Sequence, residues 1–513
     1  MRPPAFAVKF AAGRFEAAQK RAHASAASTQ AKLLARTVRR YRDTELGRAL
    51  GLEKVHSPAD YRQHVRTRVA ADYIPLWDRA RAENAPGIVH PGRLDYMAFT
   101  SGTSGLNKLV PFPEEHLANF RTFTNHASFH AIHLLGAYDL MQGRVLLTSG
   151  RPIKEVTDNG LTIGFGSGLA AAKPSRMARA LVLPSLETLS LADWRQKLDA
   201  MVTESLHEDV RMFTGMPNAV MPLLRTVVDR AREAGMDAHT AKDVWPNLRL
   251  WLYSGQSLEA HGPAILPLLG EGVRTFSVYS ACEGPVGYQH TLDDDTLLLD
   301  LTTCVIELFE PGRPESRLGV DEAEPGAEYD VAITSPGGIF AYALGDRVQL
   351  VSRDPYVIRF LGRSAEEMSI VGERIPLASL RTRLAQAAAD VGHPVVQWMV
   401  SPSRPVANAP LSYDFLVELA GGLPDETQRA AAERALATAL DARLRSESAM
   451  YASQREGGVT LGPPTVRLLP PGTIDAYVLE SRAFGQGKVV HVHTTPTQGE
   501  AILAFAAARV PSP

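Results

Sequence analysis

Apolar positions recur along this chain in two rhythms. Residues 15–50 and 59–85 carry them at helical spacing, the first run closing near Gly51, and 113–137 and 186–210 repeat the pattern. Between these segments lie short apolar runs of strand length: 96–99, "RVLLTSG" at 144–150, "RMFTG" at 211–215, "LRLWLYSGQSL" at 248–258 and "RTFSVYSACEG" at 274–284. Each ends in a loop of small residues. Strands alternating with helices predict an α/β domain built on parallel sheets, in which ligands gather at the carboxyl ends of the strands.

The rhythm changes after residue 360. "FLGRSAEEMSIVGERIP" is a polar connector, followed by the apolar runs "PVVQWMVS" and "SYDFLVELAGG", an Ala-rich helical stretch at 424–445 and the run "PTVRLLPPGTID". Strand, strand, helix, strand predicts a smaller α+β domain over 362–513, beside a larger domain over 1–361 whose parallel or mixed sheets are flanked by helices.

Composition narrows the function classes. With 513 residues, 45% hydrophobic and 21% charged, the chain has ample material for folded cores. A formal net charge of −2 gives no footprint for nucleic acid. The two cysteines, Cys282 and Cys304, make a disulfide scaffold or a cysteine zinc site a poor expectation and favour a reducing cytosol. The Arg/Ala/Ser-rich N-terminus has the look of a transit peptide, yet it contains Glu16 and runs into a helical pattern, so it is read as part of the fold. No stretch has the ~18 apolar residues of a membrane span.

The loops carry the chemistry. In "YMAFTSGTSGLNKLVPF" (96–112), Thr100, Ser101, Gly102, Thr103, Ser104 and Gly105 precede Lys108. Small hydroxyl residues and glycines bring N–H and Oγ groups close to a phosphate, and a lysine adds a point charge; a plain flexible connector has the same composition. The P-loop form G-x-x-x-x-G-K-[ST] is absent. "VYSACEGP" offers Tyr279, suited to stack on a flat ring or else a core aromatic, and Glu283, a carboxylate able to bind Mg²⁺ or else a helix-starting acid. "YALGDRVQL" offers Asp346 after Gly345, placed to accept two ribose hydroxyls, or else an ordinary Gly-Asp turn. "GQGKVV" offers Lys488 in a glycine-rich setting, which is equally that of an ordinary solvated surface lysine. "NHASFHAIH" sets His126, His130 and His133 on one helical face, which is equally a packed or solvated face.

The order of these motifs resembles that of the adenylate-forming superfamily of acyl-CoA ligases, luciferases and peptide-synthetase adenylation domains. It is most similar to one branch, the auxin-responsive-promoter family of acyl-acid amido synthetases. "RDTELGRALGLEKVHSPADYRQHV", "TSGTSGLNKLVPFPEEH", "VYSACEG", "FAYALGDRV", "FLGR" and "VLESRAFGQGKVVHV" each resemble a segment of that family in the same order. Departures are the short Gly105-Leu106-Asn107 approach to Lys108, Ala343 and Arg347 beside the Gly-Asp pair, and Val489-Val490 after the late lysine. They bear on the acceptor and on the geometry of that lysine.

The resemblance implies two steps with ATP and Mg²⁺: adenylation of a carboxylic acid, then acyl transfer to an amine such as an amino acid. It implies that residues 100–105 and Lys108 hold phosphates, Glu283 holds Mg²⁺, Tyr279, Ser280 and the Ser254-Gly255 turn border adenine, and Asp346 takes the ribose. Arg363 and Lys488 would reach phosphate and acyl oxygens as the small domain rotates between steps. The helix carrying His126, His130 and His133, with Phe165, Met216 and Tyr253, is the expected lining of the acyl pocket. A CoA ligase, an enzyme loading a carrier-protein thiol, and an inactive nucleotide-binding scaffold remain alternatives. The expected partners are small molecules, with neither nucleic acid nor membrane, and the expected state is a monomer or weak dimer.

Overall fold

The computed structural model describes residues 2–99, 109–173, 178–255, 258–363, 367–368, 370, 373, 375–404, 410–421, 425–455, 461–481, 489–493 and 496–509. The chain divides into two compact units, one drawn chiefly from Met1–Gln256 and Ile265–Leu361, the other chiefly from Gly362–Arg482.

The long N-terminal helical run is three helices, Ala5–Ala24, Ala26–Tyr41 and Glu45–Ala49. The third is restarted by Thr44, whose side chain accepts from the Gly47 N–H at 2.9 Å. Likewise the expected helix at 186–210 is two, Leu186–Ser190 and Trp194–Ser205, because Asp193 caps a new N-terminus on Gln196 N–H at 2.8 Å. The helix expected over 113–137 runs Glu114–Leu135.

The centre of the first unit is a twelve-stranded mixed sheet among the described residues. One end is parallel: Arg274–Ala281, Leu250–Ser254, Val210–Thr214, Arg144–Leu147 and Val182–Leu183 lie side by side in that order. These are the apolar runs that alternate with helices in the sequence, and parallel neighbours require such crossovers. On the other side of Arg274–Ala281 the sheet turns antiparallel, through Gly284–Gln289 and Leu297–Leu299, and reaches the paired strands Glu328–Ser335 and Ile339–Arg353. A second, four-stranded sheet pairs Tyr96–Phe99 in parallel with Thr162–Phe165.

Period-two alternation gives the large sheet two distinct faces. Met212, Leu250, Phe276, Tyr288 and Val278 form a core with helix Glu114–Leu135. Tyr279 and Ala281 face the other way, against the core that contains Val286, Leu297 and Leu299. In the second unit, strands Val395–Pro402, Tyr413–Leu419 and Thr465–Leu469 form a sheet whose core is closed by Leu380 and Leu384 of one helix and Leu436, Leu440 and Leu444 of another, Glu426–Glu447. No helix among the described residues is long and apolar enough to cross a membrane.

Candidate active site

The site is built from the ends and irregularities of strands. In Ile339–Arg353 the register against its partner shifts: Ala343 pairs with Ala332 and Arg347 with Asp330, leaving Leu344-Gly345-Asp346 opposite the single Val331. The Gly-Asp pair is therefore a bulge within a long strand rather than a connecting turn. Gly345 has φ +74°, a conformation an L side chain resists, so glycine is what allows the strand to kink here. The bulge delivers Asp346, 7% exposed, to Tyr279, whose hydroxyl donates to Oδ2 at 2.7 Å. The Phe360 ring meets Tyr279 edge-on at 5.4 Å. Two residues 67 positions apart, expected together from the sequence, are thus in direct contact. Ser254, ending the neighbouring strand, pairs with Val278, and Gly255 follows it at φ +81°. Ser280 pairs with Pro285 on the next strand.

Glu283 sits in the tight reversal between Arg274–Ala281 and Gly284–Gln289 and is only 7% exposed. Among the described residues its carboxylate has no hydrogen-bond or ion-pair partner, and no group of three metal-ligating side chains is found. A carboxylate at this position is chemically able to bind a hard cation through oxygen.

What holds that reversal in place is not legible from the chain alone. His116, fully buried on helix Glu114–Leu135, donates through Nε2 to the Cys282 carbonyl at 2.9 Å. The Cys282 Sγ in turn lies 3.5 Å from the Phe99 carbonyl, at the entrance to the 100–108 loop. A Cβ on Gly337 would approach the His116 ring to 3.0 Å, so the ring is clamped from the other side. Burial pushes the His116 imidazole down to about 4, against a weaker upward pull from the Cys282 carbonyl. The unfolded chain protonates this residue near pH 6.5, whereas the folded protein resists until about pH 4. Stability is therefore expected to fall as pH drops through that window and to fall no further from this group below it. Denaturation midpoints measured from pH 7 to 4 should show a shallower decline in His116→Gln, which keeps a donor but does not titrate. An unchanged slope would show that His116 is not the acid-sensitive group.

The expected acyl-pocket residues separate. Tyr253 pairs with Ser277, two residues before Tyr279, and so lies on the Tyr279 face; its hydroxyl is raised by burial, with Ser277 pulling the other way. Phe165 pairs with Phe99, its ring 5.6 Å from that ring, at the root of the 100–108 loop. Met216 caps helix Pro217–Glu233, directly after strand Val210–Thr214. The histidines are elsewhere. His126 Nδ1 lies 2.6 Å from Oδ2 of Asp300, a fully buried carboxylate that this contact helps hold below its usual range despite burial. His130 meets Glu16 at 2.6 Å and packs on Tyr288 and Phe276. That is the sheet face opposite Tyr279, and the histidine face is used to dock the N-terminal helix Ala5–Ala24. His133, on the last turn, is exposed. His126 and His130 thus make contacts with Asp300, Glu16 and the rings of Tyr288 and Phe276 on this face.

Thr100, Ser101, Gly102, Thr103, Ser104, Gly105, Lys108 and Lys488 lie outside the described residues, as does the side chain of Arg363, whose backbone ends strand Tyr356–Arg363.

Residues 13–185 match the model of the GH3 family N-terminal domain and residues 378–497 that of the GH3 family C-terminal domain, more than half the chain together. The chain belongs to the GH3 family. The family resemblance drawn from the ordered motifs is borne out. This GH3 chain has the fold of a solved GH3.15 acyl acid amido synthetase, with a TM-score of 0.76 at 17% identity over 94% of both chains. A second structure, of AtGH3.15 in complex with 2,4-DB, gives 0.75 at 16% identity, again over 94% of both. A 2-hydroxyisobutyryl-CoA ligase in the postadenylation state, in complex with 2-HIB-AMP, is similar at 0.54 and 15% identity, over 93% of this chain and 91% of that one. At these identities the likeness is one of fold. Among curated proteins, none matches the sequence.

Proposed function

We propose that this GH3 chain is an ATP-dependent ligase that adenylates a carboxylic acid and passes the acyl group to an amine, forming an amide. The observation that carries the reading is the bulge that delivers Asp346 to Tyr279 one reversal away from the unpaired Glu283. In the first step a carboxylate oxygen attacks the α-phosphorus of ATP and the bond to pyrophosphate breaks. In the second an amine nitrogen attacks the acyl carbon, the bond to AMP breaks, and the nitrogen gives up a proton. The first step brings together two anions, the carboxylate and the triphosphate, so positioning and neutralisation carry most of its catalysis.

Asp346 accepts the ribose hydroxyls, and Tyr279 fixes the orientation of that carboxylate. Ser254, Gly255 and Ser280 border the base. Glu283 would hold Mg²⁺, whose chemistry when bound is to neutralise phosphate oxygens. Residues 100–105 and Lys108 hold phosphates. Arg363 and Lys488 supply positive charge to the phosphate and acyl oxygens, and the C-terminal unit rotates between the two steps; these roles rest on the resemblance. Tyr253, Phe165 and Met216 line the acid. The two cysteines support a cytosolic setting.

Labelled pyrophosphate should exchange into ATP when a panel of aliphatic, aromatic and hydroxy acids is supplied with Mg²⁺. Silence across the panel would leave the inactive-scaffold alternative. Mass spectrometry with pooled amino acids and CoA then decides the acceptor: a dehydrated acid–amino acid conjugate supports the amide, and a thioester without conjugate overturns it.

A further inference from the structure

Residues 2–42 carry ten lysines and arginines and a single acid, Glu16, a formal charge of +9 in a chain whose total is −2. The chain-wide value averages this asymmetry away, which is why composition alone points to neither nucleic acid nor membrane. Glu16 is turned inward, its Oε1 2.6 Å from Nδ1 of His130. The exposed positions of helix Ala5–Ala24 therefore include cations and no acid.

One side of this helix is packed, with Val8, Ala12, Ala22 and His23 buried. At about 3.6 residues per turn, Phe6, Phe10, Gly13, Ala17 and Ala24 share the opposite side. Phe6 is 76% exposed and Phe10 67%. Lys9 and Lys20 border this strip along one edge, Arg14 and Arg21 along the other, and all four are exposed. The Arg14 guanidinium lies 5.8 Å from the centre of the Phe10 ring. The result is an apolar strip roughly 28 Å long with positive charge on both flanks.

We propose that the outer face of helix Ala5–Ala24 docks on an anionic lipid surface, with Phe6 and Phe10 entering the headgroup region and the flanking cations meeting lipid phosphates and carboxylates. Charge complementarity selects this occupant. A bilayer rich in acidic lipid is negative at its surface and apolar just beneath, which is the order in which the flanks and the central rings would meet it. Nucleic acid fits less well, because phenylalanine, glycine and alanine offer no hydrogen bond to a base edge. A second copy of the same face would set like charges against each other. The proposal stands apart from the ligase reading.

Co-sedimentation of the full chain with vesicles tests it. Vesicles of phosphatidylcholine alone are compared with vesicles in which about one-third of the lipid is phosphatidylserine. Partitioning is expected to be at least ~10-fold stronger onto the anionic vesicles and to weaken as salt is raised. It should fall by ~10-fold or more in Phe6→Ser/Phe10→Ser, and likewise in Lys9→Gln/Arg14→Gln/Lys20→Gln. All five side chains are exposed, so the thermal unfolding midpoints of these variants should match the wild type. In Phe10→Trp, brominated phosphatidylserine should quench emission beyond its effect on the wild type, because the new ring enters the bilayer. Equal partitioning onto both vesicles, no partitioning, an anionic preference that survives Phe6→Ser/Phe10→Ser, or no added quenching in Phe10→Trp overturns the proposal. Duplex DNA binding, or a dimer lost in Phe6→Ser/Phe10→Ser, found without vesicle binding also overturns it and gives the face to that occupant. Because the readout is partitioning, the outcome is independent of whether the chain forms acyl-adenylates.

Discussion

Asp346→Ala is expected to weaken ATP binding by about 30- to 700-fold, which is ~2–4 kcal/mol for the loss of hydrogen bonds from two ribose hydroxyls to a charged acceptor. The effect should be concentrated in nucleotide affinity, because the role proposed for Asp346 on the sugar sets it away from the reacting atoms. Asp346→Asn keeps the shape and one acceptor oxygen, so it should lose less. Tyr279→Phe removes the hydroxyl that donates to Oδ2 at 2.7 Å, so the carboxylate loses its orientation but not its charge. Its loss should be smaller again, roughly 1 kcal/mol. Calorimetry with ATP and no acid measures all three without turnover. An ATP affinity unchanged in Asp346→Ala would remove this residue from the site and leave the bulge a structural irregularity.

What could be read in the sequence follows from how local each signal is. Helix Glu114–Leu135 and the parallel strands announce themselves through their own periodicity and flanking loops, and Tyr279 and Asp346 through ordered motifs. The antiparallel half of the sheet was not read. Val305–Phe309 is buried along its whole length, so the alternation that marks a half-exposed strand is missing there, and in Ile339–Arg353, whose burial does alternate from Tyr342 to Leu350, the Gly-Asp pair reads locally as a turn. What the histidine helix meets is hidden for a related reason. His126, His130 and His133 share a face by spacing, but which neighbour that face meets is a tertiary fact, and here it is helix Ala5–Ala24 with Glu16 and Asp300. His116 is invisible as a single letter. It acquires meaning only through a contact made across the fold, with Cys282.

Glu283→Gln is expected to separate activity from stability in opposite directions. Glu283 is 7% exposed and its carboxylate has no cationic partner among the described residues, so no ion pair is lost when the charge is removed. Glutamine has the same shape and no charge. If Glu283 serves only the fold, neutralising it leaves activity near the wild-type level. If it is kept for a cation at the phosphates, Glu283→Gln should leave stability unchanged or raised, while acid-dependent pyrophosphate exchange falls by ~10²–10³-fold, the scale of losing one preorganised electrostatic contact in a transition state. The Mg²⁺ concentration for half-maximal exchange should also rise, whereas in Asp346→Ala it should not, since the ribose contact involves no metal. His116 supplies a second control: His116→Gln preserves the donor to the Cys282 carbonyl and with it the position of the Glu283 reversal, so its exchange activity near pH 7 should stay close to wild type. Exchange and Mg²⁺ dependence both unchanged in Glu283→Gln would show that the buried carboxylate is not a metal ligand, and the charge balance at the phosphates would then have to come from the lysines and arginine of the motifs alone.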